Sequence, residues 1–258
     1  MAQQLYPTIT VSRIKNPSRL YAFPLLGFVL KGIMLLPQGI ELIALSILAF
    51  FMVFIINPFV ILFTGKYWDP AYQLYAGILR LSIKMTFFFG GLTNKYPGFG
   101  FTIHDTFSVT IEKPSHPNRW LNFPLLGLLV RIILLIPFMF YEGVIRNAAG
   151  LAIFGASFPS FFKGYYPESS FELARDGTRL NLSQSMYIAG LSDKYPSFWI
   201  SMNHQTIKII LIILGALMML GNIGNSANTS RETSRYNNDY NNTYQNEMMR
   251  DYDYEPAE

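Results

Sequence analysis

The chain has 258 residues, of which 51% are hydrophobic and only 14% charged, with a net charge of +4 and no cysteine. A soluble domain carries roughly 25% charged residues, so the composition excludes an ordinary water-facing surface. Lack of cysteine excludes disulfides and thiolate metal sites.

In chain order, Met1–Pro17 is polar and lacks the apolar core of a cleavable signal peptide. Pro7–Ile14 alternates apolar and polar residues and predicts a half-buried strand. Leu20–Phe63 is almost wholly apolar. As one helix it would be about 66 Å long, against a hydrocarbon core of about 30 Å. Pro37 is the expected break. Two readings follow: a helical hairpin through the membrane, or a first piece in the interface and a second that spans. Lys and Arg residues flank the apolar stretch on both sides, and the positive-inside rule favours the hairpin with a cytoplasmic N-terminus.

Tyr72–Phe89 carries Gln73, Gly77, Arg80 and Lys84 on one helical face. This predicts an amphipathic helix on the cytoplasmic leaflet, attracted to anionic lipid, or a helix packed on a small sheet. Phe99–Ile103 is a further short strand, and Phe107–Lys113 another.

The order then repeats. Asn16–Pro37 (NPSRLYAFPLLGFVLKGIMLLP) returns as His116–Pro137 (HPNRWLNFPLLGLLVRIILLIP), and Gly91–Pro97 returns as Gly190–Pro196. The expected organisation is an N-terminal strand segment (1–15), membrane repeat one (16–103), a strand linker (104–115), membrane repeat two (116–203), a C-terminal transmembrane helix (204–221) and a disordered polar tail (222–258). Phe198–Met202 is the second copy's strand, and the four strands are expected to form one sheet. Each copy enters and leaves on the basic side, so the copies are expected to be parallel rather than inverted. The predicted fold class is mainly α and integral membrane: two tandem helical-hairpin repeats with amphipathic surface helices, short β-strands and a C-terminal apolar helix.

Lys31 and Glu41 flank the Pro37 break, and Arg131 and Glu142 flank Pro137. Across a hairpin each pair is expected to meet, as a structural ion pair or as part of an ion path. In the second copy Arg146, Asn147 and the stripe Ala148, Ala152, Ala156 suit close helix packing, against the first copy or a partner chain; the plainer alternative is an i,i+4 pair of Glu142 and Arg146 with the alanines incidental. A specific partner site is therefore expected in the second copy. Arg80, Lys84 and Arg179 are the candidate lipid-facing basic residues. Gly65 and Gly164 are expected to end the long helices as left-handed caps. His104 and His204, each in His-x-Thr, fall short of the three or four converging ligands of a metal site. No nucleophile motif, phosphate loop or nucleic-acid signature is present, so no cofactor is expected.

Pro-x-Arg before an apolar segment, Leu-x-Pro at the break (Leu35–Pro37, Leu135–Pro137), Phe-x-Gly-x-Tyr (Phe63–Tyr67, Phe162–Tyr166), an arginine-bearing helix (Arg80, Arg179) and Leu-[Thr/Ser]-x-x-Tyr-Pro-x-Phe occur twice in this order. Residues 16–203 thereby resemble a family of bacterial membrane proteins, domain of unknown function 4389, in two tandem copies. Departures from its pattern are Gln38 and Phe138, where a histidine is expected, and Trp68 in place of a proline. The resemblance implies a membrane location and no activity. The expected function is a non-catalytic scaffold or accessory subunit in the cell membrane, multi-pass. Its expected partners are membrane lipid, anionic lipid included, and a membrane protein or a second copy, with no nucleic acid. A small transporter or channel is the alternative.

Overall fold

The computed structural model describes residues 7–102, 107–201 and 205–221, with Ser234. The protein is mainly helical, with one small sheet among the described residues. Its elements are β1 (Thr8–Val11), α1 (Arg19–Ala22), α2 (Leu26–Met34), α3 (Leu36–Ala49), a π-helical stretch (Phe50–Ile56), α4 (Asn57–Thr64), α5 (Asp69–Phe89), β2 (Phe107–Thr110), α6 (Leu126–Phe162), α7 (Glu168–Ile188) and α8 (Gln205–Gly221). Met1–Ala216 forms one of two compact units and holds everything described below. The predicted tail lies outside the described residues, as do His104 and His204.

Neither copy forms the expected hairpin. Pro137 lies inside α6, a continuous helix of 37 residues. In the first copy α2 passes into α3 through Leu35, which stays right-handed at φ −86° and whose N–H reaches both Lys31 O and Gly32 O. Pro37 therefore sits in the first turn of α3, where a missing N–H costs little. The proline bends hydrogen bonding locally instead of reversing the chain. Each long helix, Leu26–Thr64 and Leu126–Phe162, runs about 55–58 Å.

The copies differ by one residue within this helix. Pro37 matches Pro137 at an offset of 100, whereas Gly65 matches Gly164 at 99. The first copy thus carries one extra residue between them. Its π-helical stretch absorbs that residue, with the Asn57 N–H donating five residues back to Met52 O. The second copy is α-helical throughout.

The recurring Phe-Pro-Leu-Leu-Gly has a conformational reason. Leu25 and Leu125 have φ of +65° and +61° with ψ of −62° and −53°. Leu26 N–H donates to Pro24 O at 2.9 Å, and Leu126 N–H to Pro124 O at 2.7 Å. Both are γ-turns of the rare, strained hand. The turn folds α1, or the Asn118–Asn122 turn of copy two, against the next helix. A Cβ at Gly127 would lie 2.5 Å from Leu121 O, and one at Gly27 would meet Tyr21 O still closer. The glycine is obligatory because backbone meets backbone there. Gly65 and Gly164, both at φ +71°, end the long helices as expected.

The copies are related by an approximate two-fold axis. In the antiparallel β1–β2 sheet, Ile9 faces Val109, its own counterpart, with Thr8 opposite Thr110 and Thr10 opposite Ser108. Tyr67 donates to Ala189 O at the end of α7, and its counterpart Tyr166 donates to Gly90 O at the end of α5, both at 3.0 Å. Burial raises both phenol pKa values far above the usual range, so each remains a donor. The start of long helix one also meets the end of α6, through Phe23–Phe161 and Phe28–Phe154 ring contacts. Such self-complementary contacts are those of a two-fold dimer, here fused into one chain. Matching helices therefore run antiparallel to one another across the axis.

The helices α5 and α7 form the middle of this pair, and they are not surface helices. Of the polar face expected on α5, only Gln73 is exposed; Gly77 and Lys84 are buried. A Cβ at Gly77 would strike the Phe101 ring. The sheet covers α5 through Phe87–Phe107 and a hydrogen bond from Tyr72 to Ile111 O. Segments 99–101 and 198–201 are not strands, because their backbone groups bond to side chains of α3, α5 and α7.

Candidate functional site

Each copy holds a buried cluster where the Leu-[Thr/Ser]-x-x-Tyr-Pro segment wraps the start of its long helix. In copy two, Arg131 is 1% exposed. It donates to Leu121 O (2.9 Å), Tyr187 O (2.7 Å) and Ser192 O (3.0 Å), pairs with Asp193, and lies over the Tyr187 ring. The other Asp193 oxygen accepts the Asn118 N–H at 2.7 Å. In copy one, Lys31 donates to Phe89 O at 2.5 Å and sits over the Phe28 ring. Asn94 takes the place of Asp193; it accepts the Ser18 N–H and donates to Asn16 O. The tyrosines close both clusters: Tyr96 donates to Met34 O, and Tyr195 to Leu134 O. Gln38 bonds to Tyr96, whereas Phe138 meets the Tyr195 ring edge-on. The departures at positions 38 and 138 thus each have a packing role.

A second cluster lies further along each groove. Lys84 donates to Gly98 O and Gly100 O, while Glu41 accepts the Gly100 N–H. Desolvation lowers the Lys84 pKa, and the Glu41 carboxylate opposes that shift. In copy two, Arg179 donates to Trp199 O, and Asp176 accepts both the Ser201 N–H (2.5 Å) and its hydroxyl (2.8 Å). Different residues therefore perform one task, holding the returning segment to the helices. Gln38 Oε1 and Glu41 Oε2 are buried acceptors with no donor among the described residues.

The expected pairs do not form. Lys31 bonds to a carbonyl and Glu41 to a backbone N–H; Arg131 pairs with Asp193, and Glu142 with Arg146 (3.9 Å) and Asn181. Without a hairpin, residues ten or eleven positions apart lie too far along one helix to meet. Lys84 and Arg179 are not lipid-facing but buried against backbone carbonyls, and Arg80 is half-buried. The alanine stripe does face protein, within this chain. Ala148, Ala152 and Ala156 are buried, Ala149 approaches Gly177 of α7, and Gly215 of α8 sits against Val144 and Ala148. Arg146 is exposed and Asn147 half-buried.

Asn94, Asp193, Tyr96, Tyr195 and Asp176 were legible only as repeated columns or turn residues, because their partners are backbone atoms far away in sequence. Among the described residues no group of acids and histidines could hold a metal. No family model, curated protein or solved structure matches the chain.

Proposed function

We propose that this is an integral membrane protein that lies within one leaflet and serves as a non-catalytic scaffold or accessory subunit, holding lipid or a membrane partner at the cytoplasmic face. The observation that carries the membrane reading is burial. Leu36–Thr64 and Leu126–Phe162 are long and apolar enough to cross a bilayer, yet only 11% and 33% of their most apolar windows are buried. A soluble core helix would be mostly covered. Here exposed Ile40, Ile43, Ile47, Phe51, Ile55 and Phe59 surround a single buried stripe, which suits lipid on several sides.

Two features favour the in-plane arrangement over a crossing. A helix of about 55–58 Å exceeds the hydrocarbon core by roughly 25 Å, and its overhang would be bare apolar surface in water. The sheet also sits on the pseudo-two-fold axis, with Thr10, Ser108 and Thr110 outward and exposed. If the antiparallel long helices crossed the bilayer, that axis would lie at its midplane. The hydroxyl face and open strand edges would then meet lipid, which cannot satisfy them. Turning the axis along the membrane normal puts the sheet in water. Lys15, Arg19, Lys66, Arg119 and Lys163, at or beyond the ends of the long helices, are exposed and suited to anionic lipid. Exposed Trp120 and Trp199 fit the interface.

The chain lacks cysteine, so single introduced cysteines report without background. Lys15→Cys and Lys66→Cys flank one long helix. In sealed right-side-out vesicles an impermeant maleimide should spare both and label both after permeabilisation. Labelling of one alone from outside would mean a crossing helix and end the in-plane reading. Ion flux from purified protein in liposomes would favour the transporter alternative.

A further inference from the structure

The two clusters at Arg131 and Lys31 are one site built twice, and they differ in charge. Copy two is neutral: Arg131 carries its counter-ion in Asp193. Copy one is not. Lys31 is 3% exposed, and among the described residues no carboxylate pairs with it. Its polar contact is one carbonyl, leaving two of its three ammonium protons without an acceptor among the described residues. A buried ammonium without compensation is costly.

Copy one also has space. Where Asn122 fills copy two, hydrogen-bonded to Asn118 O and packed so closely on Gly190 that no Cβ fits there, copy one has Ala22. A cavity of about 20 Å³ opens beside Ala22, Lys31, Gly91, Thr93 and Asn94, with Ser157 of α6 also in its lining. That is room for one water-sized species and too little for a phosphate. Exposed Asn94 and half-buried Ser18 form its rim. Asn94 commits one amide proton to Asn16 O and has a second; the Thr93 oxygen accepts the Lys95 N–H, which leaves its hydroxyl proton available.

We propose that this cavity binds a single monatomic halide, chloride under physiological conditions, which supplies Lys31 with the negative charge that Asp193 supplies to Arg131. Three replacements make the site: a shorter cation, a neutral amide for a carboxylate, and alanine for asparagine. Copy two, lacking space and already neutral, binds none.

The test uses the full chain purified in mild detergent. Its thermal midpoint is followed by tryptophan fluorescence in chloride or bromide against gluconate at constant ionic strength. At ten times Kd, binding should raise the midpoint by about 3–5 °C, saturably. Asn94→Asp should remove the dependence by providing an internal carboxylate, and the double exchange Lys31→Arg with Asn94→Asp, which copies the second cluster, should do the same. Equilibrium binding of radioactive chloride to the unmodified protein should give one site per chain. Equal midpoints in halide and gluconate, or no bound chloride, would mean that the cavity holds water and would overturn the proposal. So would an Asn94→Asp protein that keeps its halide dependence. Should both variants fail to fold, the direct chloride binding decides.

Discussion

Replacing Asp193 by asparagine isolates the value of one buried charge. The first copy shows that asparagine fits the position: Asn94 accepts the Ser18 N–H just as Asp193 accepts that of Asn118. The exchange therefore keeps the turn and removes only the ion pair with Arg131. Breaking a fully buried pair costs about 3–5 kcal/mol, because the remaining charge stays buried. Arg131 is 1% exposed on its side chain but Asp193 is 26% exposed, so water recovers part of the loss. Three carbonyls continue to hold the guanidinium. A loss of about 2–3 kcal/mol is expected, equivalent to a fall of roughly 4–12 °C in the midpoint for a chain of this size. Reversible denaturation in mixed micelles measures it. Adding Arg131→Met to Asp193→Asn tests the cause: the two losses should be markedly less than additive. A loss below about 0.5 kcal/mol, the size of an ordinary surface change, would refute the view that Arg131 depends on this carboxylate.

Gly27→Ala and Gly127→Ala should each cost about 3 kcal/mol or more, since the new Cβ meets a carbonyl that cannot move without undoing the γ-turn; chemical denaturation reads this, and a near-neutral alanine would show the turn to be pliable. Leu25→Gly should stabilise the detergent-solubilised protein by about 0.5–1 kcal/mol, the strain of a positive φ outweighing glycine's added chain entropy; a loss of stability there would mean that the exposed leucine packs on something. Tyr67→Phe and Tyr166→Phe should each lose about 1–2 kcal/mol by orphaning a buried carbonyl, and the two losses should match within about 0.5 kcal/mol if the two-fold relation holds energetically. Ala152→Leu should destabilise the monomer by about 1–3 kcal/mol through overpacking. A changed oligomeric state with unchanged stability would instead make the stripe a contact between chains.

The duplication was legible from the sequence because it is written in side chains: Phe-Pro-Leu-Leu-Gly, Leu-x-Pro and Lys-Tyr-Pro recur in order. Helix type followed from hydropathy, and α5 begins only three residues before its expected start. The two glycine caps also followed, since only glycine takes a left-handed φ freely. Orientation did not follow. Basic residues at both ends of an apolar run suit a hairpin and an in-plane helix equally well, and Pro37 is compatible with a break or with a first turn. Length decided against neither. The site was hidden for a different reason. Lys31, Lys84, Arg131 and Arg179 spend their protons on carbonyls, and a carbonyl leaves no mark on a sequence. Reading them by type suggested acid partners or lipid. Their column in the repeat was the better signal: Asn94 against Asp193 and Ala22 against Asn122 already record that the clusters differ by a charge and a side chain.

Fusion of the copies explains why that divergence is possible. In a dimer of identical chains, a substitution at the Arg131 position changes both clusters, so a loss of counter-ion leaves two uncompensated cations. Within one chain each cluster varies alone, while Tyr67, Tyr166 and the β1–β2 pairing keep the shared axis. The constraint is therefore divided: contacts on the axis must match, and clusters away from it need not. In the second copy Arg131 is sealed by Asp193, Ala149 packs against α7 and Gly215 of α8 sits on the long helix, so the alanines and this buried cation are satisfied within the chain. The first copy keeps an uncovered long helix and an unbalanced lysine beside a cavity. The anion site proposed above belongs to this copy, beside Lys31 and Ala22.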